Sequence, residues 1–319
     1  MESKSLQFQD FNGDSVALGS LIASSWSENH EQGLDYTPQF LESCFQYPGM
    51  TPALAPVLMD GDRPAAFVAA FPRTLVVNGH RGRYALLTFF TVAPGYKGQG
   101  LGVRVWAECL RRVRLAGFDG ALHYCVDGNV SNHVTVGGAS AAGYSAQRIL
   151  SIPYLRAFLR SQPAEPVPAL DPNRAAAALV EAAEPLAARL PIARQWSPEE
   201  ALWQCHGRHG ALTHWDEASG ALLNGYVLPV CDAARTPCLF LDEVHWGRLA
   251  DEEKAPFLKA FLGRAAGQAT IATVPLPGYT DPAYLKAAGF RGAPRQLHAY
   301  LTLWTTEAAP VEALYADVL

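Results

Sequence analysis

The sequence predicts an α/β (α+β) protein made of two similar halves, each a mixed, mostly antiparallel sheet flanked by helices. Three observations predict it. Helical and extended apolar periods alternate along nearly the whole chain. The order of elements in the second half mirrors the first, down to a short helix followed by a Gly-aromatic pair, Gly143-Tyr144 and then Gly289-Phe290. The 319 residues match the length of about two domains.

In order, residues 15–26 read as a helix capped by Asp14, and 37–46 as a second, capped by Thr37 with Pro38 in its first turn. Residues 55–77 hold two extended apolar runs around the turn Asp60-Gly61-Asp62-Arg63. Residues 84–92 (YALLTFFTV) are a buried strand, and a Gly-rich stretch then leads into a strong helix that runs to Leu115 and stops at Gly117. A strand at 121–126, a short helix at 132–142 and a strand at 149–159 complete the first half. Residues 161–195 change character: an extended Pro-bearing linker precedes an Ala-rich helix over 173–189. The second half reads as a capped helix (197–206), a hairpin (211–216 and 221–230), a strand (238–245), a helix (249–266), a strand (269–275), a short helix (281–288) and a last strand (296–304). The boundaries expected are therefore 1–160, 161–195 and 196–319.

Composition excludes several functions. Apolar residues make up 49% and charged residues 17%, which suits packed cores and not a disordered chain. Lys+Arg 25 against Asp+Glu 30 gives a net charge of −5, so nucleic acid is not expected as a partner. No apolar run approaches the ~20 residues of a membrane helix, and residues 1–14 lack a signal-peptide core. A cytoplasmic protein is expected, with its six cysteines as free thiols. Cys205, His206, His209, Cys231 and Cys238 match no common zinc spacing, so no metal is expected.

The sharpest motif is Val92-Ala93-Pro94-Gly95-Tyr96-Lys97-Gly98-Gln99-Gly100-Leu101-Gly102, between a buried strand and a helix. Gly98, Gly100 and Gly102 permit tight turning and close approach of a ligand. The open N–H groups of the first helical turn suit a pyrophosphate, with Lys97 adding positive charge. A dinucleotide fingerprint fits less well, because Gly98-Gln99-Gly100-Leu101-Gly102-Val103 lacks the sixth glycine and no parallel strand ends on Asp119.

This stretch resembles motif A of the GCN5-related N-acetyltransferase (GNAT) family. That pattern is Arg or Gln, two residues, Gly, one residue, Gly or Ala; Lys97, Gly100 and Gly102 occupy it here, with Lys for the usual Arg or Gln. The resemblance spans about residues 7–160, and the flanking order of elements agrees. It implies that strands 4 and 5 of the half, 84–92 and 121–126, splay in a V. The pantetheine arm of coenzyme A would lie in that gap, paired with main-chain groups near Phe90, Thr91 and Val92. The amides of Lys97, Gly98, Gln99, Gly100, Leu101 and Gly102 would hold the pyrophosphate. Asn132 matches the family's asparagine after the fifth strand, with Asn129 as a rival because the preceding loop is about two residues longer than usual.

The sequence departs from the family where proton transfer is expected. Many members carry a Glu on the fourth strand; the matching position is near Thr88. Many carry a Tyr four residues before the Gly-aromatic pair; that position is Ala139. Replacements are Ser140, His123, Tyr124 and Asp127, each with a plainer reading as a core, helix or surface group. Otherwise a low-pKa acceptor and cofactor positioning supply the rate. Ser140, one residue along a helix from Ala139, is rotated by ~100° and is expected to point away.

The second half keeps the architecture and loses the loop. Residues 246–253 (WGRLADEE) have one glycine and three carboxylates where a pyrophosphate would lie, so like charge repels it. This half is expected to be a degenerate GNAT-like domain that packs against the first and walls the acceptor site. Acceptor pockets in this fold use the first two helices, here about residues 26–47. Glu28, Glu31, Asp35 and Glu42 make that stretch acidic, and Trp26, Tyr36, Phe45 and Tyr47 make it aromatic. It suits a cationic or partly apolar amine, or equally an ordinary solvated helix pair with core aromatics. The resemblance thus implies an acetyl-CoA-dependent N-acetyltransferase acting on a small-molecule amine, as a monomer or homodimer. Its rivals are a non-catalytic acyl-CoA-binding module and an acyltransferase using a longer chain, with Phe89 and Phe90 lining an acyl tunnel.

Overall fold

A computed structural model describes residues 6–27, 33–160, 170–231 and 235–318. The Pro-bearing part of the linker, Glu28 and Glu31 lie outside the described residues, as does the side chain of Cys231.

The first half begins with β1 (Gln7–Asp10), α1 (Ser15–Ser27), β2 (Gly33–Leu34) and α2 (Pro38–Phe45). Thr37 caps α2 by accepting from the Phe40 amide at 3.2 Å, with Pro38 at its first position. The chain continues through β3 (Pro56–Asp60), β4 (Arg63–Val77), β5 (His80–Val92), α3 (Leu101–Leu115), β6 (Gly120–Val126), α4 (Ser131–Ala141) and β7 (Ala146–Phe158). In α3, Leu101, Val105, Trp106, Cys109, Leu110 and Val113 recur at helical spacing and are all buried. Gly117 follows with φ +79°, the left-handed turn that ends the helix.

After α5 (Pro172–Arg189) come β8 (Ile192–Gln195), α6 (Pro198–Leu202) with one π turn, β9 (Ala211–Asp216), β10 (Ala221–Cys231), β11 (Pro237–His245), α7 (Asp251–Ala265), β12 (Ile271–Pro275), α8 (Pro282–Ala287) and β13 (Arg291–Leu303). Three short strands, β1, β2 and β8, have no counterpart in the sequence reading, since two to four residues carry no readable period.

Among the described residues thirteen strands form one open sheet, ordered β1-β3-β4-β5-β6-β13-β7-β12-β11-β10-β2, with β8 beside β4 and β9 beside β10. It is antiparallel except at β5–β6 and β11–β12. The last strand of the chain, β13, lies between β6 and β7: Leu297–Leu303 pair with Val126–Gly120, and the opposite edge pairs with β7. In turn β7 pairs with β12, Phe158 opposite Ile271. Each half therefore completes its sheet with a strand from the other. Helices α3 and α4 cover one face of the first half, around Trp106; α1 and α2 cover the opposite face, around Phe40, Phe67 and Phe89. The segment after β13 runs back under β8, where Leu314 and Tyr315 are buried and Tyr315 exchanges main-chain hydrogen bonds with Ile192 and Arg194.

Candidate functional site

The site begins where two parallel strands part. β5 and β6 pair from Tyr84 opposite Gly120 to Leu87 opposite His123, and there the pairing stops. Beyond it, β5 still pairs with β4, through Thr88–Ala69 and Thr91–Phe67, and β6 still pairs with β13. The edges of residues 88–92 and 124–126 that face each other are thus left open. A bulge at Phe89-Phe90 bends β5 away at this point. Phe89 sits at φ +57°, a conformation that costs a bulky side chain of order 1–3 kcal/mol and persists where the surroundings hold it. They do: its ring packs edge-on against Tyr36 at 5.0 Å and Phe71 at 5.8 Å.

The Gly-rich loop opens at the same end of β5. Gly98 and Gly100 lie at φ +77° and +74°, and Gly100 caps α3 without a side-chain bond. Gly98, Gln99 and Gly100 are exposed, and among the described residues no backbone carbonyl takes their amides. A Cβ on Gly100 would meet nothing within 4 Å, so the cradle is open to a ligand. Gly102 serves another purpose: its Cβ would lie 2.9 Å from the Phe90 ring, and its absence lets α3 press on β5. Leu101 is buried in the core beside it. Lys97 is engaged elsewhere. Its amide donates to Pro94 at 3.2 Å, and Nζ donates to the Ser25 carbonyl at 2.7 Å, at the end of α1. The open amides therefore start at Gly98, and the positive charge tethers α1 instead of standing over the loop.

The other predicted residues fall on two faces. His123 is buried on the α3 side, edge-on to Trp106 at 4.4 Å. Its Nδ1 donates to the Leu87 carbonyl at 2.7 Å, at the point where the strands part, and among the described residues Nε2 has no hydrogen-bond partner. Tyr124 points to the opposite face, its hydroxyl donating to the Ala316 carbonyl at 3.3 Å; burial pushes its pKa well above the usual tyrosine value. Thr88 is half-buried, Ala139 is fully buried, and Ser140 is exposed, as its rotation along α4 requires. Asn132 holds the β6–α4 connection: Nδ2 donates to Val126 and Asn129 carbonyls, both at 2.8 Å, and Oδ1 accepts from Tyr300 at 3.1 Å. Asn129 accepts from the Ser131 amide, and the exposed Asp127 pairs with His298 at 2.9 Å.

On the α1–α2 face, Tyr36, Phe40, Phe45 and Tyr47 pack into the core with Phe67, Phe71 and Phe89. Asp35 pairs with Arg235. Beneath them lies a polar network that the sequence reading missed. Asp317 is almost wholly buried and bridges Arg73 (2.7 Å) and Arg194. Arg194 donates to the Tyr47 hydroxyl at 2.7 Å, and that hydroxyl donates to Glu200. The two arginines outweigh burial and hold the Asp317 carboxyl below the usual carboxylate range. These residues come from the loop after α2, β4, β8, α6 and the segment after β13, so no local motif could reveal them.

The second half repeats the device and closes it. The parallel pairing of β11 with β12 ends at Phe240–Thr273, and β11 bulges at Asp242. Here the Tyr279 hydroxyl fills the parting: it accepts from the Val244 amide and donates to the Asp242 carbonyl, both at 3.3 Å. At the start of α7, Glu253 takes the Ala250 amide at 2.8 Å. Gly247 is pressed against the main chain of Ser219 and Gly220, leaving no cradle.

Residues 17–135 match the model of the acetyltransferase (GNAT) family. The whole chain is similar in fold to N-myristoyltransferase of Saccharomyces cerevisiae. One structure, with bound myristoyl-CoA, gives a TM-score of 0.74 at 15% identity over 97% of this chain and 85% of that one. Another, with myristoyl-CoA and inhibitors, gives 0.72 at 15% identity over 97% and 82%. No curated protein matches the sequence.

Proposed function

We propose that the chain, whose residues 17–135 match the GNAT family model, is an acyltransferase that moves an acetyl group from acetyl-CoA to a primary amine of a small molecule. The observation that carries this reading is the coincidence, at one end of β5, of an open strand edge and an open amide cradle. Gly98, Gln99, Gly100, Leu101 and Gly102 bind the pyrophosphate through the amides and dipole of α3. Main-chain groups of Phe90, Thr91 and Val92 pair with the extended arm. The bound thioester supplies the activated acyl carbon. His123, whose Nδ1 meets the Leu87 carbonyl where the strands part, takes up a proton on Nε2, and Tyr124 lines the acceptor face. Asn132 fixes the loop around the arm.

In this reading residues 1–160 bind the donor, 161–195 connect, and 196–319 wall the acceptor site without a donor of their own. Tyr279 in the second parting and Glu253 at the start of α7 support a single donor site per chain. A longer acyl donor is the second reading, favoured by the fold likeness to structures holding myristoyl-CoA; the close-packed rings around Phe89 favour the shorter one.

Two measurements test the proposal. Calorimetry with coenzyme A should give one site per chain. A thiol-release assay over an amine panel, run with acetyl-, octanoyl- and myristoyl-CoA, should show turnover with amine present and rank the donors. Binding without turnover for every pair would leave a non-catalytic acyl-CoA module, and two sites per chain would refute the assignment of the second half.

A further inference from the structure

We infer that Phe89 is the end wall of the acyl site and limits the donor to a short acyl chain. The inference rests on the acyltransferase reading above and deepens it, because it fixes the class of acyl group that the gap admits.

The two phenylalanines of the bulge go to opposite faces of the sheet. Phe90 packs edge-on to Trp106 at 5.6 Å and presses on Gly102, under α3. Phe89 turns the other way and joins the core under α1 and α2. The pair expected to line one tunnel therefore does not share a side.

With the pyrophosphate in the Gly-rich loop, beyond Val92, an arm laid along Val92, Thr91 and Phe90 runs back towards the apex of the gap. There Leu87 pairs with His123 and the strands close. The acyl end must then leave the plane of the sheet to one side. The α3 side is closed: Leu87 and Trp106 are each 1% exposed, and His123 bonds to the first and packs on the second. Thr88, which alternation from Leu87 puts on the α1–α2 side, is only half-buried. The acyl group turns to that side, and the residue next to Thr88 is Phe89.

What it meets there is a plug of rings. Phe89 is edge-on to Tyr36 at 5.0 Å and to Phe71 at 5.8 Å, and tilted against Phe45 at 6.2 Å. Tyr36 stacks in turn on Phe40, which is wholly buried. A close-packed interior takes added methylenes only by displacing side chains. An acetyl methyl stops at the plug, whereas an octanoyl chain has to pass through it.

The backbone shows that the ring is held there at a cost. Among the described residues three that are not glycine have positive φ: Asn78, Phe89 and Arg235. Asn78 and Arg235 are exposed, but Phe89 is 3% exposed and sits inside a strand. Glycine would adopt φ +57° without strain. Strain of this kind persists where the surroundings enforce it, and it clusters at ligand sites.

The test is calorimetry on the full chain with acetyl-, butyryl- and octanoyl-CoA, which needs no acceptor. Each methylene that a pocket cannot place costs about 10–200-fold. The parent should therefore bind octanoyl-CoA at least ~10-fold more weakly than acetyl-CoA. Phe89→Gly keeps the left-handed backbone and removes the ring, and the ratio of the two Kd values should fall by at least ~10-fold. The ratio is read within one variant, so a general loss of affinity cancels. Phe45→Ala thins the plug from its half-buried side, leaves the bulge intact and should move the ratio in the same direction. It decides if Phe89→Gly fails to fold. A parent that binds octanoyl-CoA as tightly as acetyl-CoA, or a ratio unchanged in the folded variant, would overturn the inference and leave the acyltransferase reading standing. A parent that binds none of the three donors would overturn that reading along with it.

Discussion

Replacing Gly100 with valine separates the donor site from the fold. The residue lies at φ +74°, and a left-handed conformation costs an L side chain about 1–2 kcal/mol, with a β-branched one at the upper end. Set against the usual domain stability of about 5–15 kcal/mol, the protein stays folded. Among the described residues no atom beyond its chain neighbours lies within 4 Å of the new Cβ, so the Cβ itself meets no steric block in the empty protein. The cost falls on binding. On the proposed reading the added isopropyl group would stand where the loop amides meet the pyrophosphate, and each charge-assisted hydrogen bond lost there is worth about 1.5–3 kcal/mol. Losing two weakens coenzyme A by about 3–6 kcal/mol, a ~10²–10⁴-fold rise in Kd. Calorimetry gives the affinity, and a thermal melt gives the fold, with a fall of only a few degrees. A variant that melts near the parent and binds coenzyme A within threefold of it would refute the cradle.

Other perturbations bear on the rest of the chain. Asp317→Ala leaves Arg73 and Arg194 buried without their carboxylate and should cost about 3–5 kcal/mol in a denaturant titration. Because the native Asp317 pKa is lowered, its contribution is complete above the unfolded value near ~3.9 and lost as pH falls through the native one, so parent and variant should converge in acid. His214 faces Arg264, Phe257 and Phe261; burial first, then the Arg264 charge, brings its pKa down to about 4. The unfolded state then binds the proton first between pH 6.5 and about 4, so stability should fall over that window as pH drops, and less so in His214→Gln. Ser140→Ala should change kcat by under about tenfold, below the range for a lost general acid, since Ser140 faces solvent. Residues 1–160 expressed alone lack β12 and β13, which leaves β6 paired with β5 alone and β7 with neither of its partners, and should be insoluble; a soluble, fully active fragment would contradict the strand exchange.

What the sequence made legible is what is encoded locally. The helices α2 and α3 announce themselves through Thr37-Pro38 and through apolar spacing ended by Gly117, and each lies within two residues of its expected bounds. The amide cradle was readable for the same reason: Gly98 and Gly100 mark left-handed backbone whatever the rest of the chain does. The strain at Phe89 was not, because phenylalanine gives no hint of φ +57°; long-range packing against Tyr36 and Phe71 imposes it. Lys97 shows the limit of a motif. Its position in the loop was evident, but its charge answers to Ser25, 72 residues away.

The Gly-rich loop and the α1–α2 face differ in this respect for a physical reason. A cofactor with a fixed pyrophosphate is met by a turn and a helix end, structures whose requirements fall on adjacent residues. The opposite face of the sheet is built from what the two halves bring together: Arg73 with Asp317 across 244 residues, Tyr47 with Glu200 across 153, and Tyr124 with the carbonyl of Ala316 across 192. Apolar alternation declares that residues 296–303 form a strand but carries no address, since any exposed edge offers the same hydrogen bonds. Only the assembled sheet shows that this strand lies between β6 and β7 and brings the chain end beneath the gap. Contacts of high sequence separation hold this face together, and substitutions there are expected to couple through the Arg73–Asp317–Arg194 network more strongly than those in the loop, where each amide acts through its own backbone.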